Sequence, residues 1–245
     1  MNGILIYSSE EAERNRFAVQ KFKALLGVRL VLENEVDFGT PCDYVINRTN
    51  NADIARGFEQ RGVRVFNPAK LTALANDKQA CYEFMQAHGI EIMPINRNCP
   101  PLVKKPKNGK GGKGVELITE GKITPEEGFV YQEPASDLGK DLRVWLIGGE
   151  IIASVLRVSK TDFRSNFCLG GEAVPYALSA EETAQVKKIS ALLDCDYIGI
   201  DFVFNHGKIV FNEVEDSVGA RMVYDKTNID ILALYCKYII KEMEK

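Results

Sequence analysis

The 245-residue sequence predicts a mixed α/β protein, with a small open parallel sheet at its N-terminus followed by lobes of antiparallel sheet and helices. Three observations carry this reading. Up to residue 66, short apolar runs alternate with segments of helical periodicity, the pattern of strand–helix–strand units. From 102 to 158, short strands follow one another across glycine-rich or charged turns (NGKGGKG, TEGKITPEEG, IGGE), as in antiparallel sheet. After residue 178 a capped helix leads into a hairpin and a last amphipathic helix.

The elements follow in order. Residues 3–7 (GILIY) read as a buried strand. Residues 10–26 carry Phe17, Val19, Phe22, Leu25 and Leu26 at helical spacing and predict one amphipathic helix. Strands are expected at 28–32, 43–46 and 63–66, with a helix over 52–60. Pro68 suits a helix start, and that helix is expected to run through 78–88 and stop at Gly89. The middle strands fall at 102–105, 115–118, 129–132, 142–147 and 151–158. Ser179 and Glu182 form a capping box for a helix reaching about 193. Residues 197–204 and 208–213 make a hairpin around Asn205-His206-Gly207, and the closing helix covers 229–242.

Composition narrows the function. With 45% hydrophobic residues the chain can bury a core. A net charge of -3 gives no general affinity for nucleic acid or anionic membrane. No apolar run approaches a membrane span, and MNGILIYSSEEAERN lacks the basic start and long apolar stretch of a signal peptide, so a cytoplasmic location is expected. The six cysteines form no C-x-x-C pair, and two histidines argue against a zinc site or a Ser-His-Asp triad.

Three constellations carry chemistry. LVKKPKNGKGGKG delivers Lys104 and Lys105 on a strand into a loop with Gly109, Gly111, Gly112 and Gly114. Such glycines let backbone N–H groups approach a polyphosphate, while lysine sets a charge on its oxygens. The order is neither that of a Walker loop nor of a dinucleotide fingerprint, and a basic hairpin tip would have the same composition. In IGIDFVFNHGKIVFNEVEDSVG, Asp201 lies on one hairpin strand and Glu213 and Glu215, two apart, on the other. Period-two geometry puts the glutamates on one face, and carboxylate oxygens beside phosphate suit Mg²⁺. A solvated acidic strand face is the plainer reading, but an unpaired carboxylate inside YIGIDFVF is costly. The third constellation is basic: Arg143, Arg157, Lys160, Arg164 with Asn166, and Arg221. Arginine recognises carboxylate or phosphate through paired donors.

These segments, with NDKQACYEFMQAHGIEIMP, VYQEPASDLGKDLRVWLIGGEIIAS, DFRSN and the closing KTNIDI, resemble the ATP-grasp superfamily and, within it, the RimK-like glutamate-ligase branch, from about Asn76 onward. The resemblance implies an ATP-grasp fold: a pre-ATP domain over 1–68, a small lobe with the lid over 69–133, and a C-terminal lobe with the metal site over 134–245. It implies that Lys78 and Lys105 contact nucleotide phosphates and that Gly109, Gly111, Gly112 and Gly114 belong to a lid. Gln132, Glu133, Pro134 and Ala135 would form the hinge along the adenine edge, with Asp141 near the ribose. Arg164 and Asn166 would meet the phosphates and the reacting carboxylate, Arg221 would face the acceptor side, and Arg143 is a further candidate catalytic residue. Asp201, Glu213 and Glu215 would hold two Mg²⁺ ions, with Mn²⁺ able to substitute. The branch usually has asparagine where this chain has Glu215, and Pro-Gly where it has Val218-Gly219. The first bears on the choice of ion, the second on the acceptor pocket.

The implied activity is ATP-dependent ligation of a small-molecule or peptide carboxylate to an amine, without nucleic acid or membrane partners, on a scaffold that often forms homodimers. A phosphotransferase, or a nucleotide-binding module without catalysis, would share the same nucleotide residues.

Overall fold

The computed structural model describes residues 1–109, 111–159, 161–163 and 172–245. Four parallel strands open the chain: β1 (Gly3–Tyr7), β2 (Arg29–Leu32), β3 (Tyr44–Asn47) and β4 (Arg64–Phe66), in the order β2-β1-β3-β4. β1 and β3 are buried along their whole length. Helices cover both faces of such a sheet, so its central strands read as unbroken runs and not as alternation.

The helix expected over 10–26 is two helices, α1 (Ser9–Arg14) and α2 (Arg16–Leu26). Asn15 divides them. Its side-chain amide donates to the carbonyl and the carboxylate of Glu11, both at 2.8 Å. A short polar side chain that satisfies local backbone competes with helix continuation. Phe17 and Leu25 also depart from the expected stripe, at 60% and 46% exposure. Phe17 packs edge-on against Tyr224, with centroids 5.3 Å apart, while Val19 and Phe22 of the same helix enter the core. After α3 (Ala52–Glu59), the helix expected through 88 is likewise broken, into α4 (Ala69–Ala75) and α5 (Lys78–Ala87). Asp77 caps α5 by accepting from the Ala80 N–H at 3.0 Å. That break sets Lys78 at the head of a helix.

The rest is built on two sheets. β5 (Leu102–Pro106), β6 (Glu116–Ile118) and β7 (Phe129–Gln132) pair antiparallel in the order β6-β5-β7. β8 (Lys140–Ile147), β9 (Glu150–Val158), β10 (Glu172–Pro175), β11 (Tyr197–Asn205) and β12 (Lys208–Glu215) form the second, in the order β10-β9-β8-β11-β12. Here the hairpin's second strand runs two residues past the expected 213 and so includes Glu215. Three helices complete the chain: α6 (Ala180–Ser190), α7 (Arg221–Lys226) and α8 (Ile231–Met243). β10 and α7 had no counterpart in the sequence pattern. Among the described residues, no helix is long and apolar enough to cross a membrane.

Alternation divides the five-stranded sheet. Leu142, Val144, Ile200 and Phe202 pack with Tyr82 and Met85 of α5 and Val186 and Ile189 of α6. The opposite face begins with Trp145 and Tyr197, which join Leu5, Phe22 and Tyr235 in a second core. Further along, that face turns polar at Arg143 and Asp201. The N-terminal sheet is tied to this region by Asn67, a buried residue. Its amide donates to the carbonyls of Tyr197 (2.9 Å) and Asp216 (2.8 Å) and accepts from the N–H groups of Asp196 (2.7 Å) and Tyr197 (3.0 Å). Asn67→Ala strands these buried groups and should lower the unfolding free energy by about 2–4 kcal/mol, read by urea denaturation. A loss under about 1 kcal/mol would deny Asn67 this role.

Candidate active site

Sheet register places the acidic residues. Val155, Arg143, Asp201 and Glu213 stand opposite one another across β9, β8, β11 and β12. In the next row, Arg157 of β9 faces Asp141 of β8. Arg143 grips Asp201 with two bonds, Nε to Oδ1 and Nη2 to Oδ2, each 2.6 Å, and its Nη2 also reaches Glu215 Oε1 at 2.6 Å. Arg157 donates to Asp201 Oδ2 at 2.8 Å and clamps Asp141 with the same fork. Burial opposes ionisation of Asp201, but Arg143 and Arg157 outweigh it and hold the carboxyl below the ordinary carboxylate range. Glu215 moves the other way: burial raises it against the pull of Arg143, and Asp201 and Glu213 add to the rise.

Asp201, Glu213 and Glu215 offer oxygens that all lie within 4.8 Å of one another. Hard, closely spaced oxygen donors of this kind fit Mg²⁺, which completes its octahedron with phosphate and water. Gly199 of β11 faces Glu215 across the ladder. A Cβ at Gly199 would lie 2.7 Å from Val218 Cγ2, so a larger residue there would displace Val218, which packs over the sheet after Glu215.

The register slips beside the acids. Asp201 faces Glu213, but Phe202 faces Phe211, leaving Asn212 as the extra residue of a β-bulge. Asn212 and its neighbour Glu213 therefore both line one cleft, which regular alternation forbids. Asn212 Oδ1 accepts from Lys105 Nζ at 2.8 Å, and Gln132 Oε1 (2.6 Å) and Tyr82 Oη (3.1 Å) complete the shell. All three partners are neutral. Burial pushes the Lys105 ammonium down to about 8, despite the pull of Glu213 and aided by the charge of Lys78. Lys78 Nζ meets Glu213 Oε2 at 2.8 Å and the Gly109 carbonyl at 2.8 Å.

Between the two sheets this leaves an open cleft. Met93, Val103, Leu138 and Val203 supply apolar wall, and Lys78, Lys105 and Glu213 supply charge. The loop after β5 borders the cleft through Gly109, Gly111 and Gly112. Gly111, Gly112 and Gly114 have φ of 61°, 73° and 68°, the left-handed region that glycine enters without strain.

Other expected residues divide. Gln132 is buried, its amide fixed by a bond to the Met93 carbonyl at 3.1 Å. Glu133, Pro134, Ala135 and Asp141 also line the cleft. The Glu133 carboxylate is paired with Arg97 at 2.8 Å, and the Asp141 carboxylate with Arg157. Arg221 is exposed, and its Nη2 donates to the Arg14 carbonyl at 3.4 Å. Arg164 and Asn166, with Lys110 and Lys160, lie outside the described residues. Sequence reasoning missed Tyr82 and Asn212. Tyr82 was readable as one turn beyond Lys78 on a helix, whereas Asn212 needed the bulge. Arg157 was grouped with substrate-binding cations, yet it pairs with Asp141 and Asp201.

Comparison with known proteins bears on the family and the fold. Residues 72–239 match the model of the RimK-like ATP-grasp domain. A protein of Mycoplasma genitalium, named only as uncharacterised, is 26% identical over 99% of this chain and 93% of its own length. A probable alpha-L-glutamate ligase of Maridesulfovibrio salexigens is 28% identical over 78% of this chain and 72% of its own. Among solved structures, a RimK domain ATP-grasp protein from Sphaerobacter thermophilus superposes with a TM-score of 0.72 at 16% identity, covering 97% of this chain and 99% of that one. The ATP-grasp ligase PsnB, in complex with a precursor variant, Mg and ADP, reaches 0.71 at 16% identity, with 98% of both chains covered.

Proposed function

The chain belongs to the RimK-like ATP-grasp family and is an ATP-dependent carboxylate–amine ligase; from that premise we propose that it activates a carboxylate as an acyl phosphate and joins it to an amine, releasing ADP and phosphate. One observation carries this most: Lys78 and Lys105 meet Glu213 and Asn212 in a single cleft, and Asp201 and Glu215 stand beside Glu213. Positive side chains and a glycine loop thus border the same cleft as Glu213, the carboxylate that joins it to the acidic cluster.

Asp201, Glu213 and Glu215 would hold Mg²⁺, which would supply positive charge to neutralise the phosphates. Lys105 and Lys78 then stabilise the charge that spreads as a carboxylate oxygen attacks the γ-phosphorus. The glycine loop covers the phosphates and excludes water, which would otherwise hydrolyse the activated acyl group. Gln132, Glu133, Pro134 and Ala135 follow the adenine edge, and Asp141 lies toward the ribose. When the amine attacks, Arg143 is our assignment for stabilising the oxyanion. Arg164, Asn166 and Arg221 are assigned to the phosphates, the reacting carboxylate and the acceptor side. The glutamate-ligase relatives favour an amino acid or peptide among the substrates, and use of ATP favours a cytoplasmic setting.

A screen of carboxylate and amine pairs, read by ADP release and product mass, tests the reading. ADP release should require both partners, and an ¹⁸O label in the carboxylate should appear in the released phosphate. A stable phosphorylated product from a single substrate would replace ligation with phosphotransfer.

A further inference from the structure

We propose that Lys78 couples metal binding to nucleotide binding by exchanging partners, leaving Glu213 for phosphate when a divalent cation takes that carboxylate. The inference rests on the reading that the cleft takes a nucleotide.

Its basis is the geometry around one ammonium. Lys78 Nζ is bonded at 2.8 Å both to Glu213 Oε2, in the acidic cluster, and to the Gly109 carbonyl, at the start of the glycine loop. Its backbone N–H donates to the Lys107 carbonyl at 2.9 Å, so the head of α5 is pinned to the base of that loop. Lys78 therefore spans the two halves of the cleft, and among the described residues its one carboxylate bond is to a residue of the acidic cluster.

Glu213 cannot serve two cations equally. A divalent ion sits about 2.1 Å from a ligating carboxylate oxygen, one carboxylate group away from the ammonium. Like charges at that spacing, in a partly desolvated cleft, repel strongly. A phosphate oxygen in the same cleft supplies the alternative partner, which ammonium accepts readily because it donates three hydrogen bonds in any direction. Phosphate thus draws Lys78 from Glu213 and opens that carboxylate to the metal, and the metal in turn frees Lys78 for phosphate. Such coupling is reciprocal.

Arg143 does not offer the same exchange. Its three bonds to Asp201 and Glu215 come from a guanidinium fixed within the sheet, and Arg157 buttresses Asp201 from the next strand. Lys78 is joined to the cluster by one contact, from a helix outside that sheet.

Direct binding of Mn²⁺ alone, followed by electron paramagnetic resonance on the full chain, gives a readout independent of activity. Lys78→Met removes the competing cation and should tighten Mn²⁺ binding by at least about tenfold, while weakening ADP binding. Lys78→Gln, which keeps a polar tip, should also tighten it. Lys78→Arg keeps the charge and should stay within about threefold of wild type. Adding Glu213→Gln to Lys78→Met should abolish the gain. An Mn²⁺ affinity unchanged or weakened in both neutral variants, with wild type still binding ADP, overturns the exchange alone. Failure of wild type to bind ADP with Mn²⁺ overturns the nucleotide reading, and the exchange with it.

Discussion

Asp201→Ala should abolish amide formation and also lower the unfolding free energy by about 3 kcal/mol or more. The two losses have one origin. Asp201 takes two bonds from Arg143 and one from Arg157, in a region where the carboxylate is almost fully buried. Without it, two closely placed guanidinium groups keep, among the described residues, Glu215 and Asp141 as anionic partners. Breaking one side of a buried ionic cluster leaves charge desolvated and uncompensated, which is why the cost exceeds that of a surface pair. Asp201→Asn keeps the shape and one acceptor, so it should lose activity but less stability. Glu213→Gln should lose activity with little change in stability, because Glu213 pairs with Lys78 at the more open edge.

The pH dependence of melting gives a separate check. The folded-state pKa of Asp201 is depressed, so its stabilisation is fully present above the unfolded value of about 3.9 and is lost as pH falls through the folded value. Glu215 is raised and acts with the opposite sign, losing stability as pH rises through its folded value. The acid limb of the melting curve should therefore be shallower in Asp201→Asn than in wild type. An Asp201→Ala protein with wild-type melting and turnover would remove Asp201 from both roles.

Much of this site could be read in the sequence, and the reason is local. Lysine, glycine and carboxylate types were visible, and period-two spacing brought Glu213 and Glu215 to one face before any pairing was known. The costly placement of Asp201 inside an apolar strand was legible too, though not its solution. Arg143 and Arg157 lie 58 and 44 residues away along the chain and meet Asp201 only through sheet register. Helix breaks at Asn15 and Asn76-Asp77 were hidden because apolar periodicity continued across them, while single polar side chains decided the backbone locally. Asn212 was hidden for the opposite reason. A strict two-residue period turns it away from the cleft, and one bulged residue turns it in.

Lys105→Met should reduce ligation by at least about 10²–10³-fold, the range seen when a preorganised charge stabiliser is lost, while the melting temperature shifts by only a few degrees. The side chain sits among neutral acceptors, Gln132, Asn212 and Tyr82, and burial pushes its ammonium down to about 8. For a lysine, a folded value below the unfolded one, about 10.4, means the charged form weakens the fold. That penalty is fully present below about 8 and is relieved as pH rises from there toward the unfolded value. Methionine escapes the penalty but leaves three polar partners with one bond fewer, so the two effects offset. Function reverses the sign. Phosphate oxygens favour the charged form, so near pH 8 nucleotide binding should take up about half a proton per site, and nucleotide affinity should fall as pH rises further. Calorimetry in buffers of different ionisation enthalpy measures that uptake directly. Its persistence in Lys105→Met would assign the proton to another group. Its loss would identify Lys105 as a cation whose burial weakens the free fold and which the nucleotide restores to full charge.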